Sequence, residues 1–203
     1  MSSSDHSIIF HEKAGLIDVP VGSCRVKYMP GEDWDFHVDS PHKPIDLSLV
    51  LPHFRARGQP IDSRISIFAG SGASPMKLKV CRAVSRSKFE LEVRASTSDV
   101  TIWLPSDFKG VIHCPTKLTK FSAGFVNRIM ANVRLHAGAG RSPALSYDED
   151  EVIVATRGHV TFRMWDVQTN APECAQVETL KRLFGCARKV PETSHDWDFL
   201  LDD

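Results

Sequence analysis

Hydrophobic and polar residues alternate along much of this chain. From Ile45 to Leu51 every second residue is apolar, which is the pattern of a half-buried strand, and Pro52 ends the run. The same alternation recurs in further short segments, whose apolar positions are Ile65 and Ile67; Leu78 and Val80; Phe89, Leu91, Val93 and Ala95; Val100, Ile102 and Leu104; Val133 and Leu135; Ile153 and Ala155; and Val160, Phe162 and Met164. No helical segment separates these strands. The pattern therefore predicts an all-β fold, either a β-sandwich or a short β-solenoid.

Two matches within the chain indicate that this fold is built from two related β-units. RISIFAGSGASP at 64–75 corresponds to NVRLHAGAGRSP at 132–143, and VRASTSDVTIWL at 93–104 corresponds to IVATRGHVTFRM at 153–164. The first copy carries extra sequence between its two matches, which leaves room for an additional hairpin. We therefore predict a β-domain at 42–168 that contains an internal repeat, 64–104 and 132–164.

Both ends of the chain differ from this domain in composition. Residues 1–41 are rich in Ser, Pro, Gly, Asp and His and are predicted to form an extended, partly ordered arm. Residues 169–190 predict one C-terminal amphipathic helix, from about 172 to 188, with Asn170 as candidate N-cap. The acidic and aromatic tail at 191–203 is expected to be mobile.

The Gly-rich segment AGSG at 69–72 suggests either a phosphate cradle or a turn. A phosphate-binding loop needs a helix N-terminus behind it, whereas Ser-Pro and then strand-like sequence follow here. We therefore expect Gly70, Gly72, Gly138 and Gly140 to supply positive φ angles in turns at strand ends.

Composition and charge narrow the possible partners. The 25 basic and 25 acidic residues balance, and the basic residues are scattered, which disfavours nucleic-acid binding. The chain shows neither a secretory signal nor an apolar run long enough to span a membrane, so an intracellular, cytoplasmic protein without membrane contact is expected. Five irregularly spaced cysteines suit a reducing compartment.

Candidate catalytic chemistry is sparse in the sequence. The nine histidines include His37 and His42, but none is paired at metal-ligand spacing, so no metal or other cofactor is expected. The acidic run at 148–151 is interpreted as a solvated turn. No nucleophile motif is present, so no catalytic residue is assigned, and the protein is expected not to be an enzyme. An enzyme that uses His113 and Asp107 is kept as a minor hypothesis.

A further match within the chain favours a role in protein binding. DWDFHVD at 33–39 recurs as DWDFLLD at 196–202. Aromatic residues bury a large area at small entropic cost, and aspartates steer toward basic surfaces, so such a segment suits a docking peptide. The leading hypothesis is a non-catalytic protein-interaction module whose partner-binding residues are Trp197, Phe199, Leu200 and Leu201. Alternatively, Trp34 and Trp197 fold back onto the protein itself.

The rival hypothesis is a β-domain that binds a small ligand, most plausibly a carbohydrate. Trp103 is out of phase with the core-facing Ile102 and Leu104, so it should point outward and could stack against a sugar. Uncovered sheet edges would also permit a homodimer by strand pairing.

A resemblance bears on these hypotheses. The strand and turn VTIWLPSDFKGVI at 100–112, with Leu104, Pro105, Phe108 and Gly110, and the later strand DEVIVATRGHVTFRMWD resemble an uncharacterised family of proteins from mushroom-forming fungi, over about 45–167. The resemblance implies a β-rich domain of unknown function in a fungal, non-secreted setting, and it assigns no active site.

Overall fold

The computed structural model describes residues 21–83, 87–138 and 148–174, and these residues form mainly β-structure. The all-β prediction is confirmed. The strands of the described residues are β1 Val21–Arg25, β2 Phe36–Ser40, β3 Ile45–Val50, β4 Ile65–Ser71, β5 Met76–Cys81, β6 Phe89–Ala95, β7 Val100–Pro105, β8 Gly110–His113, β9 Thr119–Phe121, β10 Val133–His136, β11 Asp150–Ala155, β12 Val160–Asp166 and β13 Ala171–Pro172. A short helix, α1 Ala123–Arg128, and a 3-10 turn, Met130–Asn132, lie between β9 and β10.

The strands form two sheets, here named sheet A and sheet B. Sheet A has the order β1-β3-β5-β7-β12, with β9 and β13 both pairing with the outer edge of β12. Sheet B has the order β2-β4-β6-β11-β8-β10. All pairs are parallel except the pair of β12 with β13. From β1 to β10 successive strands alternate between the two sheets, so the chain coils around a shared core as in a short solenoid.

This winding changes one expectation about the first repeat unit. The extra sequence between its two matches leaves room for a hairpin, but the two strands it contains, β5 and β6, lie in different sheets and do not pair with each other. Parallel strands cannot be joined by a tight hairpin, so each connection crosses from one sheet to the other. Strands β7 and β12 are neighbours, with Val100 opposite Val160, an offset of 60 that matches the predicted repeat. Duplication itself stays a prediction.

The last long strands fill a gap left by earlier ones. Strand β11 lies between β6 and β8, and β12 lies between β7 and β9, although β8 and β9 come earlier in the chain. The core therefore depends on two strands that follow β10 in the chain, β11 and β12.

The core is made by the inward-facing positions of the alternating strands. Ile45, Leu47 and Leu49 of β3 are almost fully buried, as the sequence pattern predicts. Helix α1 begins after Ser122, whose hydroxyl accepts a hydrogen bond from the backbone N–H of Phe125. The Phe125 ring is buried and packs on Phe121 and Phe162. The short helix thus closes the core beside β12.

One strand has the opposite orientation to that expected. In β11 the side chains of Val152 and Val154 are in the core, while Ile153 is only partly buried and Ala155 is exposed. The run Val-Ile-Val-Ala is apolar at every position, so alternation could not decide which residues face inward. The register against β6, with Val154 opposite Val93, decides it.

The predicted C-terminal helix does not begin at the expected place. Asn170 has a positive φ of 50° and lies in the turn that joins β12 to β13, and Pro172 belongs to β13. The turn puts Asn170 in the left-handed conformation, which asparagine tolerates, so it is not a helix N-cap. The remainder of the predicted helix and the tail at 191–203 lie outside the described residues.

The predicted arm contains regular structure in its described part. Strands β1 and β2 occupy residues 21–25 and 36–40 and form one edge of each sheet. Residues 1–20 lie outside the described residues. In the ranges that the structure describes, no helix is long and apolar enough to cross a membrane.

Candidate functional site

The structure places His113 in a buried cluster on the outer side of sheet B. His113 of β8 is 3% exposed, and its Nε2 atom lies 3.2 Å from Oε1 of Glu151. The other carboxylate oxygen of Glu151 accepts a hydrogen bond from Arg64 at 2.7 Å, and the ring of His136 stacks on His113 at 5.3 Å between centroids. Burial lowers the pKa of His113 and outweighs the opposing charge of Glu151, while His136 lowers this pKa further. His113 is therefore neutral near pH 7.

Asp107 belongs to a different cluster, centred on Arg82. The guanidinium of Arg82 is 1% exposed and lies 2.8 Å from Asp107 and 2.9 Å from Asp150. Burial opposes the charge on Arg82, but Asp150 and Asp107 outweigh this effect and raise its pKa. The two residues of the minor enzyme hypothesis are thus engaged by different partners, and the structure does not bring them together in one pocket.

The cluster around Arg82 has a structural role. Asp150 is completely buried and also accepts a hydrogen bond from the backbone N–H of Phe89 at 3.3 Å. It therefore ties the start of β11 to the segments that follow β5 and β7. The expectation that the run 148–151 is a solvated turn is wrong for its second half, because Asp150 and Glu151 are both buried in ion pairs. Their partner arginines are distant in sequence, so no local signal could reveal the pairing.

The Gly-rich segment is a strand end and turn, as expected, but its glycines act differently from the prediction. Gly70 lies in β4 and the segment leads into β5, so no helix N-terminus follows it. Neither Gly70, Gly72 nor Gly138 has a positive φ angle, and Gly140 lies outside the described residues. A Cβ atom on Gly72 would lie 2.7 Å from the carbonyl oxygen of Pro41, so close backbone approach explains this glycine.

Trp103 points outward from sheet A, but its ring is not open. Lys79 of β5 and Arg163 of β12 lie over the indole at 5.5 and 5.7 Å from its centroid. These strands flank β7 on opposite sides, so cationic side chains from both neighbouring strands lie against the ring. A sugar stacks on a free aromatic face, so this arrangement does not favour Trp103 as a carbohydrate platform.

A shallow, open depression of about 460 Å³ lies elsewhere, at the end of sheet B. Small or polar residues line it, namely Ala95, Ser96, Pro115, Ala155, Thr156 and Arg157. Neither of the two buried ion-pair clusters contributes a side chain to this lining. Among the described residues no group of three or more His, Cys, Asp or Glu side chains could hold a metal ion.

The first DWDF segment packs on the protein itself. Phe36 and Val38 of β2 are buried in the core, and the ring of Trp34 lies 5.4 Å from Phe68 of the neighbouring strand β4. Asp35 accepts a 2.8 Å hydrogen bond from the backbone N–H of Ser66. The aromatic-acidic pattern therefore serves here as an edge strand. Trp197, Phe199, Leu200 and Leu201 of the second copy lie outside the described residues.

At the opposite end of sheet B, β10 presents an edge that the sequence pattern did not identify. The backbone N–H of Cys114 donates to the carbonyl oxygen of His136, so His136 and Arg134 direct their backbone groups toward β8. In a parallel ladder the alternate residue then faces away, which places the N–H and C=O of Leu135 on the outer edge. No strand within the described ranges pairs with that edge.

The side chains of β10 also leave this edge incompletely covered. Val133 and Leu135 pack against the core but are only partly buried, while Arg134 and His136 are exposed on the outer face. Strand β1 forms the edge of sheet A at the opposite end of the coil, but its residues are mostly exposed and Gly22 has a φ of 134°. The β10 edge is therefore the better candidate for a binding surface.

The fold defines the class: the described residues form a mostly β protein with two parallel sheets. The chain belongs to the family of the domain of unknown function DUF7330, because the model of that family matches residues 31–142, more than half of the chain. This match begins before β2 and ends after β10, so it starts earlier and ends earlier than the expected resemblance over 45–167. A search of curated proteins returned no match, and neither did a search of solved structures.

Proposed function

We propose that this chain is a non-catalytic protein-interaction module that binds a partner strand at the outer edge of β10. The supporting observation is the direction of the Leu135 backbone, whose N–H and C=O point away from β8. An exposed edge with unpaired backbone groups is a template for strand addition, in which main-chain hydrogen bonds supply affinity and side-chain pockets supply specificity.

The tail residues Trp197, Phe199, Leu200 and Leu201 are the second part of this proposal. Their sequence combines large apolar side chains with aspartates. The same combination already forms the edge strand β2 in this chain, which supports a role for the tail as a segment that adds to a sheet edge. Such edges would also permit a homodimer by strand pairing. A fungal, non-secreted and cytoplasmic setting belongs to the same proposal and rests on the resemblance and on composition.

Two substitutions at Leu135 test the edge. Leu135→Pro removes the outward N–H, and proline is tolerated on edge strands where that N–H faces solvent. Leu135→Ala also shortens the side chain but keeps the donor, so it is the matched control. Proteins captured from cell extract by the full-length chain should also be captured by Leu135→Ala and lost with Leu135→Pro, with unchanged far-UV circular dichroism. Capture of the same proteins by all three chains would refute binding through this edge.

Carbohydrate binding through Trp103 is the weaker proposal. The residue is partly exposed, which supports contact with a ligand, but the two cations over its ring compete with a stacked sugar. No observation on the described residues favours this function over the interaction module.

A further inference from the structure

We propose that the second DWDF segment, residues 196–202, adds to the β10 edge of its own chain as a terminal strand of sheet B. The inference rests on the proposed function, since it requires β10 to accept a strand, and it names the segment of this chain that a partner strand must displace from that edge. The first copy gives the precedent: its residues 36–39 lie in β2, the edge strand at the other end of the same sheet, and Asp33, Trp34 and Asp35 precede that strand. The second copy would then complete sheet B at both ends with the same sequence pattern.

The apolar positions of the two copies correspond. In the first copy Phe36 and Val38 point inward and are 8% and 2% exposed. The equivalent positions in the second copy are Phe199 and Leu201, again two residues apart. Val133 and Leu135 on β10 remain only partly buried beside the core. A strand with Phe199 and Leu201 directed inward would cover this remaining apolar surface.

The charges on the outer face are also complementary. On β10 the exposed outward-facing residues are Arg134 and His136. In the second copy Asp202 occupies the position that the exposed Asp39 of β2 holds in the first copy. Arg134 already pairs with Glu149, yet its side chain is 57% exposed and can engage a second carboxylate. Opposite charges on adjacent strands stabilise the pairing. Hydrophobic contacts on the inner face would not by themselves determine which residues lie opposite each other on the outer face.

The chain is long enough to place the segment there. The last described residues follow β13, which pairs with β12 at the same end of the coil as β10. The 21 residues from 175 to 195 can reach about 20 Å or more even if the predicted helix extends to about 188, at about 1.5 Å per helical residue, and this exceeds the separation of about 10 Å between two packed sheets. Tethering raises the effective concentration of the segment to about millimolar, so the chain's own tail outcompetes that of a second copy at micromolar protein.

Residue-resolved amide exchange of the full-length protein tests the proposal, with the N–H of Leu135 as the reporter. We expect this amide to exchange slowly in the wild-type chain and at least tenfold faster in the double variant Phe199→Ser and Leu201→Ser. Val190→Ser is the matched control, because it removes an apolar side chain outside residues 196–202 and should leave protection unchanged. Equal protection of Leu135 in all three chains, or none in the wild type, would overturn the proposal.

A second measurement separates this proposal from the function on which it rests. A labelled peptide of residues 194–203 should bind the Phe199→Ser and Leu201→Ser chain more tightly than it binds the wild type, whose own tail occupies the edge. Equal binding to both chains would overturn intrachain docking while preserving β10 as an acceptor. Binding to neither chain would count against β10 as an acceptor and hence against both proposals. If Leu135 protection increases with protein concentration, a second copy is the occupant and the intrachain proposal is wrong.

Discussion

Replacement of Arg82 by methionine should be among the most destabilising single substitutions in this protein. The guanidinium is 1% exposed and pairs with Asp150, which is completely buried, and with the partly exposed Asp107. Methionine fills a similar volume but removes the positive charge. Asp150 would then remain in the interior with backbone N–H donors but without its cation.

The size of the effect follows from this burial. Breaking a buried ion pair by removing one partner costs about 3–5 kcal/mol, because the other charge stays desolvated and uncompensated. For a chain of about 200 residues each kcal/mol lowers the unfolding midpoint by about 2–4 °C, so the expected loss is about 6–20 °C. Urea unfolding should show a similar loss of free energy, with little change in the slope.

A matched substitution separates burial from charge. Arg128 is 40% exposed and lies 3.8 Å from Asp166, so Arg128→Met should cost no more than about 1 kcal/mol. If Arg82→Met destabilises the protein no more than Arg128→Met does, the argument from burial is wrong. Adding Asp150→Ala to Arg82→Met should restore part of the stability, because it removes the isolated buried carboxylate.

Two further predictions concern close packing and pH. Gly110→Ala should abolish or severely impair folding, since its Cβ atom would lie 1.8 Å from the carbonyl oxygen of Asp150. Gly138→Ala is the control: its Cβ atom would have no atom within 4 Å, so the soluble yield and the unfolding midpoint should be nearly unchanged. The lowered pKa of His113 means that the unfolded chain binds the proton more readily than the folded one, so urea midpoints should fall as pH decreases below the ordinary histidine pKa of about 6.5. His113→Gln should reduce that fall, and an unchanged pH dependence would contradict the assignment.

The local segment after β7 illustrates why the family resemblance carries no chemistry. Phe108 is fully buried and its ring lies 6.0 Å from Phe89, while Gly110 lies against the backbone of Asp150. Phe108 and Gly110 of the Leu-Pro-x-x-Phe-x-Gly turn thus serve packing. Their identity constrains the fold and leaves the binding surface to other parts of the chain.

The alternation of apolar and polar residues is enough to predict the strands and most of their inward faces. Alternation in segments such as Ile45–Val50 identifies the core side because each polar residue must reach water. Alternation fails in Val-Ile-Val-Ala of β11, where every side chain is apolar and only the register against β6 selects Val152 and Val154. Sequence also detected the two DWDF segments, although not what either contacts.

Which strands are neighbours depends on the folded chain as a whole. Parallel pairing joins segments far apart in the chain, so Arg82 meets Asp150 across 68 residues and β11 enters between β6 and β8. The edge of β10 that no described strand pairs with has the same origin, because a strand is an edge only by virtue of its place in the sheet. Alternation within one strand indicates whether a residue is buried. It does not indicate which strand lies beside that residue, because strand neighbours are set by pairing between distant parts of the chain.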